Sequence, residues 1–358
     1  MNKIKRELLR IGVQAAVNYP SIFPDSFAKK IKMAWNINQR ENAIEDMKKH
    51  QLRISRSDLP KDVQILKLSC TSGFGESVHP DVLFIPEGFG AERRKYLMTL
   101  TPLPRGMEYF ENPEFLVSDD GISWHIPHGG RSPLVDPPTD WVGYNSDPTL
   151  FYDEGTLYMI YRRTEYLRGG AVVRLLIIDT QDGIGWSAPR IIAEKFYDRK
   201  NLAVLMSPSV VKTGGEYVMW YVNGEGGVFS VMRSVSKDMY HWQGLSSAAL
   251  HGMPESTEPW HLDVIAKDNG DLLMTLCFQQ AGNYLSDRGI LFASSTDAGI
   301  TWNVFGHVLE TGECSFCANS LYKGSALLKE EGGIRLYYSG QDKETHWLTA
   351  VRDMKLYP

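Results

Sequence analysis

Three aspartates stand at the heads of apolar runs: Asp81 in SVHPDVLF, Asp147 in YNSDPTLF and Asp263 in PWHLDVI. Two further segments, LMSPSVV and YKGSALL, place Ser207 and Ser325 at the matching positions when the five are written beneath one another. Carboxylates converging on one point can do general acid–base work and tune one another's pKa. Their neighbours are His79, Trp260, His261, Tyr322 and Lys323, with Glu111, Arg162 and Arg163 in flanking loops. Aromatic rings beside carboxylates and Arg suit a sugar: a ring covers its C–H face, and charged groups grip its hydroxyls. Each residue also has a plainer account. A strand-initial Asp can cap a turn or bond a neighbouring strand, and a histidine can be a hydrogen-bonded core residue. Lys323 can simply neutralise the aspartates, and Glu111 can shape its loop.

The elements that must position these residues are set by a repeat. SDDGISW ends at Trp124, TQDGIGW at Trp186, SKDMYHW at Trp242, STDAGITW at Trp302 and VRDMKLY at Tyr357. The aromatics lie 62, 56, 60 and 55 residues apart, a period that marks a repeat architecture. Before each phrase lie runs rich in β-branched and aromatic residues, separated by Gly, Asn and Asp turns, such as TLFYD then TLYMIYRR and SVVKTGG then EYVMWYVN. A third strand leads into the Asp phrase, and its aromatic opens a fourth. Four short strands in five units predict an all-β fold, a five-bladed β-propeller of four-stranded blades, over residues 61–358. The Asp phrases then lie at the bottom face as scaffold, their Asp accepting backbone N–H bonds and their Trp wedged between blades. The three aspartates above lie at the top. VQILKLS (63–69) or LRIS (52–55) is expected to pair onto the fifth blade and close the ring.

Residues 1–60 differ. Their 12 Lys/Arg and 6 Asp/Glu give +6, against −11 for the remainder. Apolar residues recur at helical spacing on either side of NYPSIFPDS, which predicts a short helical N-terminal segment of two helices. Such a segment could dock on the propeller, on another subunit or on a larger assembly. The net charge of −5 over 358 residues gives no case for nucleic acid. No apolar run is long enough for a membrane span, and LLRIGVQAAV is too broken to be a signal-peptide core. The expectation is a cytoplasmic protein or one assembled into a virion, with surface exposure open. Cys314 and Cys317 form a lone CxxC; a tetrahedral zinc site would want a second pair. With Cys70 and Cys277 they read as buried thiols. No cofactor is called for, though a propeller channel is compatible with a central structural cation.

The strand-initial Asp of blade one and the Asp-Pro of blade two resemble glycoside hydrolase family 43 and its relatives, five-bladed propellers that act on glycans. The resemblance implies that Asp81 is the general base and that Asp147 orients the acid and tunes its pKa. The family's third residue is a Glu at the start of blade three, where this chain has Met206 and Ser207. Glu258, Asp263 and Glu111 are the acids that could substitute. SSTDAGITW also resembles the Asp-box of sialidases, a fold element there. Three readings stay open: a glycosidase-like hydrolase of a polysaccharide or oligosaccharide, a non-catalytic carbohydrate-binding protein such as a phage receptor-binding protein, and a glycoside phosphorylase. In the last, Arg162, Arg163, His261 and Lys323 would hold phosphate.

Overall fold

A computed structural model describes residues 30, 34 and 59–356, apart from 71–74, 139–142, 168–169, 199–202, 226, 283–287 and 330–331. The expected N-terminal helices, LRIS and Tyr357 lie outside the described residues. Five sheets, antiparallel but for one outer strand, surround one axis, as the repeat predicts. The first described strand is β1 (Val63–Ile65). Blade one then comprises β2 (Ser77–Phe89), β3 (Arg94–Pro102) and β4 (Glu114–Ser118). Blade two comprises β5 (Gly143–Asp153), β6 (Thr156–Leu167), β7 (Gly170–Thr180) and β8 (Arg190–Asp198). Blade three comprises β9 (Met206–Thr213), β10 (Glu216–Glu225), β11 (Val228–Ser236) and β12 (Trp242–Ser247). In blade four, β14 (Thr257–Ala266), β15 (Leu272–Gln280), β16 (Arg288–Ser295) and β17 (Thr301–Leu309) gain an outer parallel strand, β13 (Ala249–His251). Blade five comprises β18 (Ser320–Leu328), β19 (Gly333–Gln341) and β20 (Trp347–Lys355), and β1 is its outermost strand.

The pairing of Val63, Gln64 and Ile65 with β20 closes the ring as expected of VQILKLS. Segments far apart in sequence thus share one sheet, and its edge is covered. Apolar clusters fill the spaces between blades. One example packs Leu273, Ile290 and Phe292 of blade four against Leu321, Ala326 and Leu336 of blade five. Blade one departs from four strands. After Trp124 its chain makes a single bridge, His125 to Val117, before Pro127 and Pro133 interrupt. Proline has no N–H to continue a ladder. Leu134 and Val135 instead plug the core between blades one and two.

Four of the Asp phrases are tight turns between third and fourth strands. Asp120 Oδ1 accepts the N–H groups of Ile122 and Ser123, each at 2.7 Å. Asp182, Asp238 and Asp297 take the same two bonds in their own turns. The hydroxyl two residues earlier (Ser118, Thr180, Ser236 or Ser295) donates to each carboxylate. Glycine is required where Gly299 turns at φ 73°: a Cβ there would lie 2.2 Å from Trp220. The Gly299 carbonyl accepts both the Trp220 and Trp302 indole N–H groups, at 2.9 and 3.1 Å. The fifth copy is not such a turn. VRDMK lies inside β20, and Asp353 pairs with Arg335 and Lys329, because the fourth strand is supplied by β1.

These turns generate a stability prediction. Burial would raise the Asp120 pKa, but two backbone N–H groups and two serine hydroxyls hold it at about 2, below the usual 3.8. A lowered folded-state pKa contributes stability that is present above 3.8 and lost as pH falls through about 2. Asp120→Ala is expected to cost about 1 kcal/mol near neutral pH in urea unfolding, and less below pH 3. An equal loss at both pH values would show that the carboxylate's bonds are not the cause.

Candidate functional site

The inner strands β2, β5, β9, β14 and β18 start at the top face and run down the channel. Each is out of simple register with its neighbour near its start. Inter-blade bonds fix which residues are equivalent. Asp81 accepts the N–H of Leu150, Ser209 that of Val264, and Ser325 that of Val82, at 2.9–3.0 Å. These bonds level 81 with 149 and 325, and 209 with 263; the prolines at 80, 148 and 208, each after a residue at positive φ, level 209 with 81 and 149. The ring one step nearer the top is His79, Asp147, Ser207, His261 and Lys323.

This corrects the sequence alignment, which placed Asp147 with Asp81 and Ser207 with Asp263. Blades two and three were shifted by two residues. Period-two strands put both registers on the same face, so the alternation of side chains cannot tell them apart. The usable signal was proline. Pro80, Pro148 and Pro208 follow His79, Asp147 and Ser207, and those three share positive φ angles of 57°, 51° and 47°. Non-glycine residues seldom adopt such angles, and they gather at functional sites.

The lower ring is bound up in the scaffold. Lys323 is 0% exposed, and its ammonium donates to Asp81 Oδ2 at 2.9 Å and to the Pro148 carbonyl at 3.2 Å. Ser209 donates to Asp263 at 3.0 Å. Burial first, and the Asp81 charge second, raise the Asp263 pKa. Glu258 accepts from the Gln279 amide at 2.9 Å, away from the ring.

The upper ring is different. Asp147 Oδ1 accepts the Ser207 N–H at 3.1 Å and its hydroxyl at 3.0 Å, with His261 Nδ1 at 3.1 Å and His79 Nε2 at 3.6 Å. Ser146 donates to Oδ2 at 2.7 Å. Burial would raise the Asp147 pKa, but His79, His261 and Arg162 hold it well below the usual range. Burial pushes His79 down to about 3 against the pull of Asp147, and lowers His261 too. A buried carboxylate thus faces two imidazoles whose protonation burial disfavours. The Nε2 atoms of both are buried without a hydrogen-bond partner. Buried polar atoms are rarely left so. One donor atom each from His79, Asp147 and His261 lies within 4.8 Å of the other two. Two neutral imidazoles and one carboxylate are a known donor set for zinc and other divalent transition metals. The side chains present therefore fit a metal ion.

Around this triad the remaining candidates form walls. The Tyr322 ring lies 4.2 Å from that of His261 and 5.1 Å from that of His79. The Arg288 guanidinium sits over Trp260 and Tyr322; Arg288 heads β16, and no spacing or motif in QQAGNYLSDR marks it in the sequence. Glu111 is buried 3.5 Å from His79 Nδ1. Burial and the Asp147 charge raise its pKa well above the usual range. Arg162 donates to the Val204 carbonyl and to the Tyr144 and Ser146 hydroxyls. Arg163 is turned to Asn145 and the Asp136 carbonyl. The four cysteines are buried and form no disulfide, with Cys314 and Cys317 Sγ atoms 3.5 Å apart. A groove of about 770 Å³ lined by Lys61, Lys67, Trp124 and His125 lies by the Asp120 turn, at the opposite face.

The fold defines the class: a five-bladed β-propeller of the kind found in families 43 and 32 of the glycoside hydrolases, as the resemblance implied. No family model matches the chain. It is 25% identical over 320 residues to the A type blood N-acetyl-α-D-galactosamine deacetylase of Flavonifractor plautii, over 75% of this chain and 40% of that protein. The chain thus spans about two fifths of that relative's length. A crystal structure of an N-acetylgalactosamine deacetylase from F. plautii, in complex with blood group B trisaccharide, superposes with a TM-score of 0.68 at 17% identity, over 81% of this chain and 93% of that one. Sucrose-6-phosphate hydrolase from Lactobacillus gasseri gives 0.56 at 14% identity, covering 88% and 65%. An exo-1,5-α-L-arabinanase from a bovine ruminal metagenomic library gives 0.51 at 13%, covering 78% and 92%. These structural likenesses carry the fold. No described helix is long and apolar enough to cross a membrane.

The lower ring generates a second prediction. Lys323→Met leaves the Asp81 carboxylate buried without its cation and is expected to cost about 3–5 kcal/mol in denaturant unfolding. Adding Asp81→Asn should recover part of that loss. No recovery would show that the two side chains act independently.

Proposed function

We propose that this protein is a metal-dependent hydrolase that removes the N-acyl group from an amino sugar of a glycan. The observation that carries the reading is the buried cluster of His79, Asp147 and His261, with one donor atom of each within 4.8 Å of the others and both Nε2 atoms without a hydrogen-bond partner. The sequence likeness to an N-acetylgalactosamine deacetylase supports the choice of an amide as the bond cut. A propeller shared with arabinanase and sucrose-6-phosphate hydrolase is consistent with a glycan-acting hydrolase.

His79, Asp147 and His261 would hold the ion. When bound, a divalent ion lowers the pKa of a water and polarises an amide carbonyl. The chain's own residues supply the rest. The inter-blade bonds of Asp81, Ser209 and Ser325 fix the five strand heads, and so the distances between the donors. Tyr322 covers both imidazoles and keeps bulk water from their ring faces. Trp260, Tyr322 and Arg288 offer a sugar one apolar wall and one cation. The net reaction adds water across the amide and releases a carboxylate and a free amino sugar.

In this reading Asp147 is a donor to the ion, and Asp81 and Asp263 are positioning residues beneath it. Their carboxylates are held by Lys323, by the Leu150 N–H and by Ser209, whereas glycoside hydrolysis wants two carboxyl groups free to flank a glycosidic bond. The gap at Ser207, which favours a non-catalytic carbohydrate-binding protein in the sequence, is no gap if the metal replaces the missing acid.

The test is release of acetate and a primary amine from N-acetylhexosamine glycans with and without zinc, cobalt or manganese. Asp147→Asn and His261→Ala are each expected to lose at least about a hundredfold in kcat/KM and in metal affinity. Amine release that survives exhaustive chelation, or release of sugar in place of acetate, would overturn the reading.

A further inference from the structure

The sequence has Ser207 where a catalytic Glu was wanted, and nothing so far assigns a task to Thr101. Both hydroxyls lie on the Nδ1 side of the two candidate metal-binding histidines. Ser207 Oγ is 2.6 Å from His261 Nδ1, and Thr101 Oγ1 is 2.9 Å from His79 Nδ1. Each hydroxyl also reaches a buried carboxylate: Ser207 donates to Asp147 at 3.0 Å, and Thr101 to Glu111 at 3.3 Å. A hydroxyl has one proton to give. If that proton goes to the carboxylate, the oxygen can only accept from the imidazole. Asp147 Oδ1, 3.1 Å from His261 Nδ1, asks for the same proton on that nitrogen.

We infer that Ser207 and Thr101 are positioning residues that lock His261 and His79 in the Nδ1–H tautomer. Both Nε2 atoms, buried and without a partner, are thereby left as lone-pair acceptors. Two imidazole–hydroxyl–carboxylate chains arise from different blades: His261–Ser207–Asp147 joins blades four, three and two, and His79–Thr101–Glu111 stays within blade one and the loop before β4. The ring nitrogen that binds a metal is chosen by the hydrogen bond the other nitrogen makes. Here the choice is made before any ligand arrives. The same chains explain why two buried Nε2 atoms go without partners in the protein alone. This inference rests on the metal reading for its purpose, but the tautomers can be measured without a metal.

The experiment is two-bond ¹H–¹⁵N spectroscopy of the metal-free protein labelled at histidine, with zinc affinity measured in parallel by calorimetry. In the wild type, the His79 and His261 signals should show a protonated Nδ1 and a lone-pair Nε2. Thr101→Val, close in shape but without the hydroxyl, should release the His79 tautomer and leave His261 unchanged. Thr101→Ser should restore it. Ser207→Ala should do to His261 what Thr101→Val does to His79. Each loss should weaken zinc binding about 10–100-fold, while the thermal midpoint of Thr101→Ser stays near wild type. Protonated Nε2 atoms in the wild type would overturn the inference, as would tautomers that do not change in Thr101→Val and Ser207→Ala. Locked Nδ1–H tautomers in a protein that binds no metal would uphold the relay and overturn the metal reading instead. Unchanged zinc affinity in both variants would do the reverse.

Discussion

Lys323 of blade five has no solvent exposure, and its ammonium is held by Asp81 of blade one and the Pro148 carbonyl of blade two. Three blades meet at that one group. An unpaired charge there would carry a large desolvation cost, so the contact is made only when the ring is closed. The Leu150 N–H joins the same carboxylate, and Ser325 and Ser209 make the corresponding bonds at other blade junctions. Everything above this ring, including the spacing of the two histidines and Asp147, is set by strands whose heads are tied together there.

The bottom face follows a separate logic. Each Asp turn satisfies its own backbone N–H groups locally, so four turns of nearly the same sequence can form independently. The top face has no such local solution. His79, Asp147 and Ser207 sit at positive φ before proline, a conformation that isolated peptides would leave. It persists because the inner strands are held on both sides. Positive φ angles also occur in the Asp turns, at Met239 and Ala298, but there the turn's own hydrogen bonds hold them.

The upper ring also shows how burial without neutralisation becomes useful. Burial disfavours the charged form of both imidazoles, and neighbouring hydroxyls and carboxylates occupy their Nδ1 atoms. What remains is two lone pairs and one carboxylate in a small space. Such a set repels nothing cationic and has few internal partners to prefer. Tyr322 and Trp260, half-open at its rim, give the same site an apolar wall of the sort a sugar ring uses.

The sequence by itself determined the five-fold repeat, the strand count in most blades, the face on which each loop lies and the strand that closes the ring. These follow from local periodicity, turn residues and β-branched runs, which act over a few residues. It also named His79, Glu111, Asp147, His261 and Tyr322, which the structure brings together, but not Thr101 or Arg288. What it misjudged was the pairing of those side chains between blades. Asp147 was aligned with Asp81 because both are acidic, whereas the shared prolines put it level with His79. A shift of two leaves each side chain on the same face of its strand, so no pattern within one blade could reveal it. Only the hydrogen bonds between blades set that register. They decide that Asp147 faces two histidines and that Asp81 faces a lysine.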